Sequence, residues 1–280
     1  MRKTLVLIVS VIFLLSALAG CTSKTNDNDK AADSNANQPA ATTKLVVGAT
    51  AKPHAEILEV VKPLLAKENI DLEIKVFTDY VQLNPSLKDG QIDANFFQHI
   101  PYLDEYNEKN NAKLAWVVKV HNEPMGVYSK KIDSLDKLAD GAKVGIPNDA
   151  TNGGRALMVL ASANLIKLKA DAGVTATEKD IVENPKKLVL VPMDAAMLPR
   201  TLDDAAICVI NSNYALEANL NPVKDSLFME PKDSPFANVL AVRPDDKDKD
   251  AIVKLGKALQ SPEVKKFLED KYQGSCVPSF

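Results

Sequence analysis

The stretch IDANFFQHIPYLD, residues 92–104, indicates the fold class of this chain. It begins as a short apolar strand, continues through a cluster of aromatic and polar side chains, and reaches Pro101, which the first turn of a helix tolerates. A strand that runs directly into a helix is typical of α/β proteins. Because ligands of open α/β sheets bind outside the carboxyl ends of strands, the stretch also predicts a binding site.

The same alternation of strand and helix patterns continues along the chain. Strands are predicted at residues 45–49, 72–77, 114–120, 144–147, 188–191 and 205–210. Apolar residues have helical spacing from His54 onward and from Arg155 to Leu165. This pattern favours mostly parallel sheets with helices on both faces. The length of the chain and a second strand-to-helix start near Val144 predict two α/β lobes.

Residues 1–20 predict a signal peptide. Arg2 and Lys3 precede an apolar run that is short for a membrane span, and small residues follow it. The sequence LAGC at 18–21 resembles a bacterial lipobox, in which cleavage leaves Cys21 to receive diacylglycerol. The alternative is an ordinary secretory signal with an incidental cysteine.

Residues 21–43 predict a lipidated cysteine followed by a disordered tether. After Cys21 the segment contains no large apolar side chain, so it cannot bury enough surface to offset the entropy lost on ordering. The folded part therefore begins near Lys44. The formal net charge of −3 and the absence of basic runs argue against a nucleic-acid partner or a polybasic membrane patch.

Cysteine usage leaves two possibilities open. Apart from Cys21 the chain contains Cys208 and Cys276, whose separation matches no metal-ligand spacing such as CxxC. They could form a disulfide or remain two buried thiols, because an oxidising compartment permits a disulfide without requiring one.

Polar residues follow two of the predicted strands. The strand at 92–97 ends before Gln98 and His99, and the strand at 206–210 leads into Asn211 and Asn213. These two strand ends are where we expect a ligand, with one end contributed by each lobe. The alternative is that the asparagines only cap the next helix. Of the two adjacent phenylalanines in the first strand, one must face the core, because neighbouring strand residues point to opposite faces.

Arg155 stands in the first turn of a predicted helix in PNDATNGGRAL, residues 147–157. A cation there is unfavourable, since the free N–H groups and the macrodipole make a helix N-terminus positive. The placement is explained if an anion such as a carboxylate is shared between Arg155 and the N–H groups that Gly153 and Gly154 leave open. The alternative is that Arg155 pairs with Asp149 or with a surface acid.

Eight segments, in order along the chain, resemble the NlpA/MetQ family of methionine-binding lipoproteins. They are PHAEIL (53–58), FTDYVQLN (77–84), IDANFFQHIPYLD (92–104), EPMGVYS (123–129), PNDATNGGRAL (147–157), LPRTLDD (198–204), VINSNYA (209–215) and SPFANVLAVR (234–243). The resemblance implies an α/β, periplasmic-binding-protein type II fold with a ligand cleft between two lobes. We place lobe 1 at 44–127 plus 235–280 and lobe 2 at 128–234.

The resemblance also implies which residues bind the ligand. An aromatic wall around the ligand side chain would consist of Tyr80, Phe97, His99 and Tyr102. Arg155 would hold the ligand carboxylate, and the amino-acid backbone would contact Asn152, Asn211 and Asn238. Sulfur makes favourable contacts with aromatic rings, so this composition suits a thioether. The sequence departs from the family pattern at three positions, with Leu83 in place of proline, Phe236 in place of tyrosine, and Cys276 in a tail that usually lacks cysteine.

The function implied by the resemblance is that of an extracytoplasmic, lipid-anchored protein of the cell membrane that serves an ABC importer. It would deliver D- or L-methionine, or a methionine dipeptide, to a permease and its ATPase, without a cofactor or a metal. We expect no enzyme, because motifs such as GxSxG and HExxH are absent. The alternatives are a metal-ion uptake lipoprotein that uses His54, His99 and His121, or a surface adhesin.

Overall fold

The computed structural model describes residues 41–231 and 234–280. The predicted signal peptide at 1–20, Cys21 and most of the predicted tether lie outside these ranges. Within them, no helix combines the length and the apolar character that a membrane span requires.

Strands and helices alternate through the described ranges, as the sequence predicts. The strands are β1 (Thr43–Thr50), β2 (Ile70–Phe77), β3 (Ala94–His99), β4 (Ala115–Asn122), β5 (Gly126–Tyr128), β6 (Lys143–Pro147), β7 (Lys167–Leu168), β8 (Ile181–Glu183), β9 (Val189–Met193), β10 (Ile207–Ile210), β11 (Phe228–Met229), β12 (Ala237–Val242) and β13 (Val277–Pro278). The α-helices are α1 (Glu56–Ala66), α2 (Leu83–Lys88), α3 (Ile100–Lys109), α4 (Ala150–Ser162), α5 (Leu198–Thr201), α6 (Ser212–Glu217), α7 (Pro222–Asp225), α8 (Asp250–Leu259) and α9 (Pro262–Tyr272).

Most of the strands belong to two sheets. The first sheet has the order β13-β4-β12-β3-β1-β2, and the second has the order β11-β5-β10-β6-β9. In the first sheet β1 runs parallel to β2 and to β3, while β12 is antiparallel to both β3 and β4. In the second sheet β6 runs parallel to β9 and β10, and β5 is antiparallel to β10 and β11.

The prediction of mostly parallel sheets is therefore wrong, because both sheets are mixed. Parallel pairing needs a crossover connection, such as the one that α1 provides between β1 and β2. Strand β12 has no such connection to its neighbours. It enters the first sheet after β11 of the second sheet and lies between β3 and β4, antiparallel to both.

Each of the two sheets packs its apolar side chains against helices. The first core joins residues of β1, β2, β3 and β12 to residues of α1, α8 and α9, and Phe96 of β3 is fully buried within it. The second core joins β5, β6 and β10 to α4. Phe97 points the other way from Phe96, as strand geometry requires, so the adjacent phenylalanines divide between the core and the site described below.

The division into lobes at 44–127 plus 235–280 and 128–234 stays a prediction. The strands of the first sheet fall almost wholly within the first pair of ranges, since only Thr43 of β1 lies outside them. Strand β5 spans the predicted boundary and pairs in the second sheet.

Of the two possibilities for the cysteines, the structure contains buried free thiols at Cys208 and Cys276. Burial raises the pKa of the Cys208 thiol to about 11, which keeps this group protonated and unreactive at neutral pH.

Candidate functional site

A cavity lies where β3 and β10 end. The eight predicted ligand-binding residues all line it: Tyr80, Phe97, His99, Tyr102, Asn152, Arg155, Asn211 and Asn238. The lining is completed by Gln98, Glu123, Ser212 and Asn213.

Asn152 of helix α4 joins the two strand ends that the sequence singles out. Its side-chain oxygen lies 3.1 Å from Nε2 of His99, at the end of β3. The same oxygen accepts a hydrogen bond of 2.8 Å from Nδ2 of Asn211, which follows β10. Asn238 of β12 pairs in register with His99, so a third segment reaches the same place. Residues far apart in the sequence are therefore held together by direct contacts.

The hydrogen bonds of His99 define its tautomer. Its Nδ1 accepts a hydrogen bond of 3.2 Å from the backbone N–H of Tyr102, so the proton must be on Nε2, which faces Asn152. Burial, followed by the positive charge of Arg155, lowers the pKa of His99 to about 3. At neutral pH His99 is therefore an uncharged donor.

The aromatic wall is a set of rings in mutual contact. The ring centroids of Tyr80 lie 5.6 Å from Phe97 and 5.9 Å from Tyr102, and those of Phe97 and Tyr102 lie 5.7 Å apart. His99 meets Tyr102 edge to face at 6.2 Å. The hydroxyl of Tyr80 donates a hydrogen bond of 2.5 Å to Asn213. The ring of Tyr80 is therefore held both by its aromatic neighbours and by this hydrogen bond. The wall offers ring faces and edges to a ligand.

Arg155 is held by several contacts inside the protein. Its Nε lies 3.0 Å from one carboxylate oxygen of Glu230 and its Nη2 lies 2.5 Å from the other. Nη2 also donates to the backbone carbonyl of Glu123 at 2.7 Å, and the guanidinium stacks on Phe236 at 4.2 Å. The side chain is only 2% exposed. Among the described residues no hydrogen bond from Nη1 is found.

The predicted position of Arg155 in the first turn of its helix is wrong. Helix α4 begins at Ala150, so Arg155 lies in the second turn. The helix N-terminus is capped from within the chain, since the Asp149 carboxylate accepts a hydrogen bond of 2.9 Å from the backbone N–H of Asn152. The alternative partners, Asp149 or a surface acid, are also wrong, because the acid that pairs with Arg155 is the buried Glu230.

A second buried carboxylate, Glu123, lies in a cluster with two histidines. Nε2 of His121 lies 2.8 Å from Oε1 of Glu123, and Nε2 of His54 lies 3.1 Å from the same oxygen. His54 also contacts Oδ1 of Asn238 at 3.1 Å and, through Nδ1, the hydroxyl of Thr50 at 2.7 Å. The ligand atoms of His54, His121 and Glu123 lie within 4.8 Å of one another, so this cluster could hold a metal ion.

The electrostatics of the cluster favour an ionised carboxylate. Burial alone would raise the pKa of Glu123, but the charge interaction with His54 and the hydrogen bonds from His121 and His54 outweigh it and hold this pKa well below its usual value. Burial lowers the pKa of His121 despite its hydrogen bond with Glu123. At neutral pH Glu123 is therefore charged and His121 is neutral.

Two polar residues of the segment NFFQHIPY (95–102), Asn95 and Gln98, have a structural role beside the cavity. Gln98 exchanges hydrogen bonds of 2.8 Å with Asn84, and Asn95 donates to Asn84 at 2.8 Å. The three amides are buried and satisfy one another. This network fixes β3 against α2 and thereby orients the wall residues that follow.

The eight predicted ligand-binding residues leave out two acids and three polar residues of the site, although Gln98 and Asn213 were already named at the two strand ends where a ligand is expected. Glu123 and Asn213 lie inside quoted motifs, EPMGVYS and VINSNYA, and the position of Glu123 directly after a strand was a usable signal. Glu230 lies in none of the quoted segments, and nothing in its local sequence marks it as the partner of Arg155. Gln98 and Ser212 adjoin predicted residues, and the Ser212 hydroxyl donates to the backbone carbonyl of Pro124.

Comparison with solved structures defines the class of protein. A nutrient binding protein from Burkholderia cenocepacia, solved bound to methionine, superposes with a TM-score of 0.82 at 48% sequence identity, over 84% of this chain and 100% of that one. The fold is therefore the substrate-binding protein fold, in its mixed α/β form, as the sequence predicts.

Comparison with known sequences defines the family. The NlpA lipoprotein model matches residues 45–280, and the chain belongs to this family. The D-methionine-binding lipoprotein MetQ of Salmonella typhimurium is 45% identical over 235 residues, which cover 82% of this chain and 86% of the relative. The protein of the same name from Escherichia coli strain K12 is 43% identical over 234 residues, with the same coverage. The predicted resemblance is confirmed, and these relatives are named as binding proteins rather than enzymes.

Proposed function

We propose that this protein is the extracytoplasmic substrate-binding lipoprotein of an ABC importer and that it captures methionine, as either enantiomer or within a dipeptide. The observation that carries the proposal is one cavity that joins an aromatic wall to a buried arginine and three asparagines. An amino acid with an apolar, polarizable side chain matches both parts. The relatives named as D-methionine-binding lipoproteins support the same ligand.

Each part of the cavity has a role in this proposal. The rings of Tyr80, Phe97 and Tyr102 would surround the thioether, since sulfur contacts aromatic rings favourably. Nη1 of Arg155 would donate to the ligand carboxylate, while Glu230 holds the rest of the guanidinium in place. We define the polar floor as Asn152, Arg155, Asn211 and Asn238, and its three amides would contact the backbone groups of the ligand.

The experiment that tests the ligand has two steps. Mass spectrometry of the natively purified protein should identify methionine or a methionine dipeptide as the small molecule that copurifies. Protein that has been unfolded, freed of ligand and refolded should then be titrated calorimetrically with L-methionine, D-methionine and glycylmethionine. Binding of at least one of the three is expected, and no binding of any would contradict the proposal.

The proposed location is the outer face of the cell membrane, where the lipid on Cys21 anchors the protein and the permease with its ATPase receives the ligand. The lipobox and membership of a lipoprotein family support it. A single acyl chain binds membranes only marginally, whereas several chains anchor stably. We expect Cys21→Ala to abolish incorporation of labelled fatty acid and to release the protein from the membrane fraction. A variant that remains acylated would contradict the lipobox assignment.

Metal-ion uptake is a second candidate, and the cluster of His54, His121 and Glu123 favours it. Two imidazole nitrogens and a carboxylate oxygen are donors that Zn²⁺ accepts. Elemental analysis of the purified protein, followed by a Zn²⁺ titration, separates the two candidates. Stoichiometric zinc without copurifying methionine would favour metal uptake.

A further inference from the structure

We infer that Lys52 fastens the end of helix α6 to the first sheet and thereby slows the release of a ligand from the cavity. This inference rests on the proposed function, and it concerns a contact outside the cavity lining. It makes Lys52, in the segment between β1 and α1, a positioning residue that sets how long the ligand stays bound.

Helix α6 connects the cavity with the first sheet. The helix follows β10 of the second sheet, and Ser212 and Asn213 at its start line the cavity. Leu216 in its last turn packs against the apolar core of the first sheet. The helix therefore belongs to one sheet by chain connection and contacts the other by packing. Because the helix is short and rigid, moving its last turn away would also move the residues that line the cavity.

Lys52 contacts the last turn of this helix. Its Nζ donates a hydrogen bond of 3.2 Å to the backbone carbonyl of Leu216, which also accepts from the backbone N–H of Asn219 beyond the helix. Carbonyl groups at a helix C-terminus lack partners within the helix and carry partial negative charge, so a cation is favourable there. The charge of Lys52 also opposes the rise that burial causes in the pKa of Glu217. Both interactions hold the helix end to the first sheet.

A second segment of the first sheet reaches the same helix. The hydroxyl of Tyr80, which follows β2, donates to Asn213, and the ring centroids of Tyr80 and Tyr214 lie 4.8 Å apart. Tyr80 thus packs against the apolar cluster that contains Tyr214, while Leu216 packs in the opposite sense. Separating the two sides would break these contacts together. Tyr80 and Asn213 line the cavity, whereas Lys52 is not among the residues found there, so Lys52 can be changed without altering a wall or floor contact.

The expected effect lies in the rate of ligand release. A contact that must break before the cavity opens stabilises the closed form without touching the ligand. Its loss makes opening faster and leaves the encounter with the ligand almost unchanged, so affinity falls through the dissociation rate.

The test measures both rates by surface plasmon resonance on the immobilised protein. The probes are L-methionine, D-methionine and glycylmethionine, and the comparison uses those that bind the wild type. We expect Lys52→Met, which keeps the length of the side chain and removes its charge, to raise the dissociation rate by about 5-fold. This is the effect of losing a hydrogen bond from a partly exposed charged group. The association rate should change by less than about 2-fold.

Two further variants isolate the contact. Lys52→Arg keeps a charged donor and should restore slow dissociation. Lys88→Met is the matched control, because Nζ of Lys88 also donates to a backbone carbonyl, that of Asn110, at 3.3 Å. This contact joins the ends of α2 and α3, which flank β3 of the first sheet. Both rates should be unchanged in Lys88→Met.

Wild-type binding of a probe tests the proposed function, whereas the ratio of variant to wild-type rates tests the role of Lys52, so the two can fail separately. Equal dissociation rates of the wild type and Lys52→Met would overturn this role. So would a loss of affinity that arises in the association rate, or an equal rise in Lys88→Met. Lower stability of ligand-free Lys52→Met in urea with an unchanged dissociation rate would make the contact merely structural. Should Lys52→Met not fold, Lys52→Gln takes its place, with the same increase in dissociation expected.

Discussion

The aromatic wall and the polar floor of the cavity are built in different ways. Phe97, His99 and Tyr102 of the wall come from one strand-to-helix junction, and Tyr80 is the member from another segment. The four residues of the floor come from three separated segments: α4, the end of β10, and β12. The wall depends on short-range sequence order, whereas the floor depends on the tertiary fold.

The two parts also differ in how their side chains are satisfied. A ring of the wall needs contact area and tolerates small shifts, because dispersion and sulfur–ring contacts are only weakly directional. Each group of the floor is buried and needs a hydrogen-bond partner, as Asn152 shows by accepting from both His99 and Asn211. We therefore expect changes in the floor to affect folding and binding together and changes in the wall to affect mainly selectivity.

The largest effect is expected for Arg155→Ala, which breaks the floor. It leaves Glu230 buried without its partner, so the free energy of unfolding should fall by about 3 to 5 kcal/mol. Methionine binding should weaken by about 2 to 4 kcal/mol, the range for losing one side of a buried charge pair. Urea unfolding and calorimetric titration measure the two effects. Arg200→Ala, on the short helix α5 away from the cavity lining, is the control. Unchanged affinity in Arg155→Ala would remove the carboxylate role.

His99 of the wall contacts Asn152 of the floor, and the pH dependence of stability tests whether His99 is neutral in this contact. The pKa of His99 falls from 6.5 in the unfolded chain to about 3 in the fold, so between these values the unfolded state binds the extra proton. Stability should therefore decrease as the pH falls from 6.5 towards 3, with His99 contributing up to about 1.4 kcal/mol per pH unit. His99→Gln, which can still donate to Asn152, should show a shallower dependence in urea titrations. If the stability of the wild type and of His99→Gln changed equally with pH, His99 would not be the neutral group that the fold implies.

Selectivity tests the wall by itself. Methionine should bind more tightly than alanine by about 2 to 3 kcal/mol, because its side chain buries additional apolar atoms and its sulfur contacts the rings. Norleucine should come close to methionine. Glutamine should fail, since its amide would lose water without enough partners among the rings. Competition against labelled methionine measures all four ligands, and glutamine that competes as well as methionine would contradict the role of the wall.

The smallest effect is expected for Tyr80→Phe, which separates the role of the hydroxyl of a wall residue from the role of its ring. The variant keeps the ring but removes its hydrogen bond to Asn213. Stability should fall by about 0.5 to 1.5 kcal/mol, the net value of one hydrogen bond. The preference for methionine over glutamine should remain. A loss of this preference in calorimetric titrations would mean that the hydroxyl, and not the ring, selects the ligand.

The sequence by itself determined the alternation of strands and helices, the two strand ends at the site, and the residues of the wall. These features depend on periodicity and on neighbours in the chain, so local physical rules and the family motifs both report them. All eight ligand-binding residues that the family resemblance implies line one cavity, although their contacts with a ligand stay a prediction.

Only the tertiary structure decided how distant charges pair. The sequence left Asp149 or a surface acid as partners of Arg155 inside the protein, and the fold places the buried Glu230 against it. Likewise Glu123 follows a strand without any local sign that His54 will reach it. The insertion of β12 between β3 and β4, which makes the first sheet mixed, is equally invisible in the sequence. A pairing between remote segments leaves no periodic pattern, because it depends on where the backbone brings two side chains and not on the residues beside them.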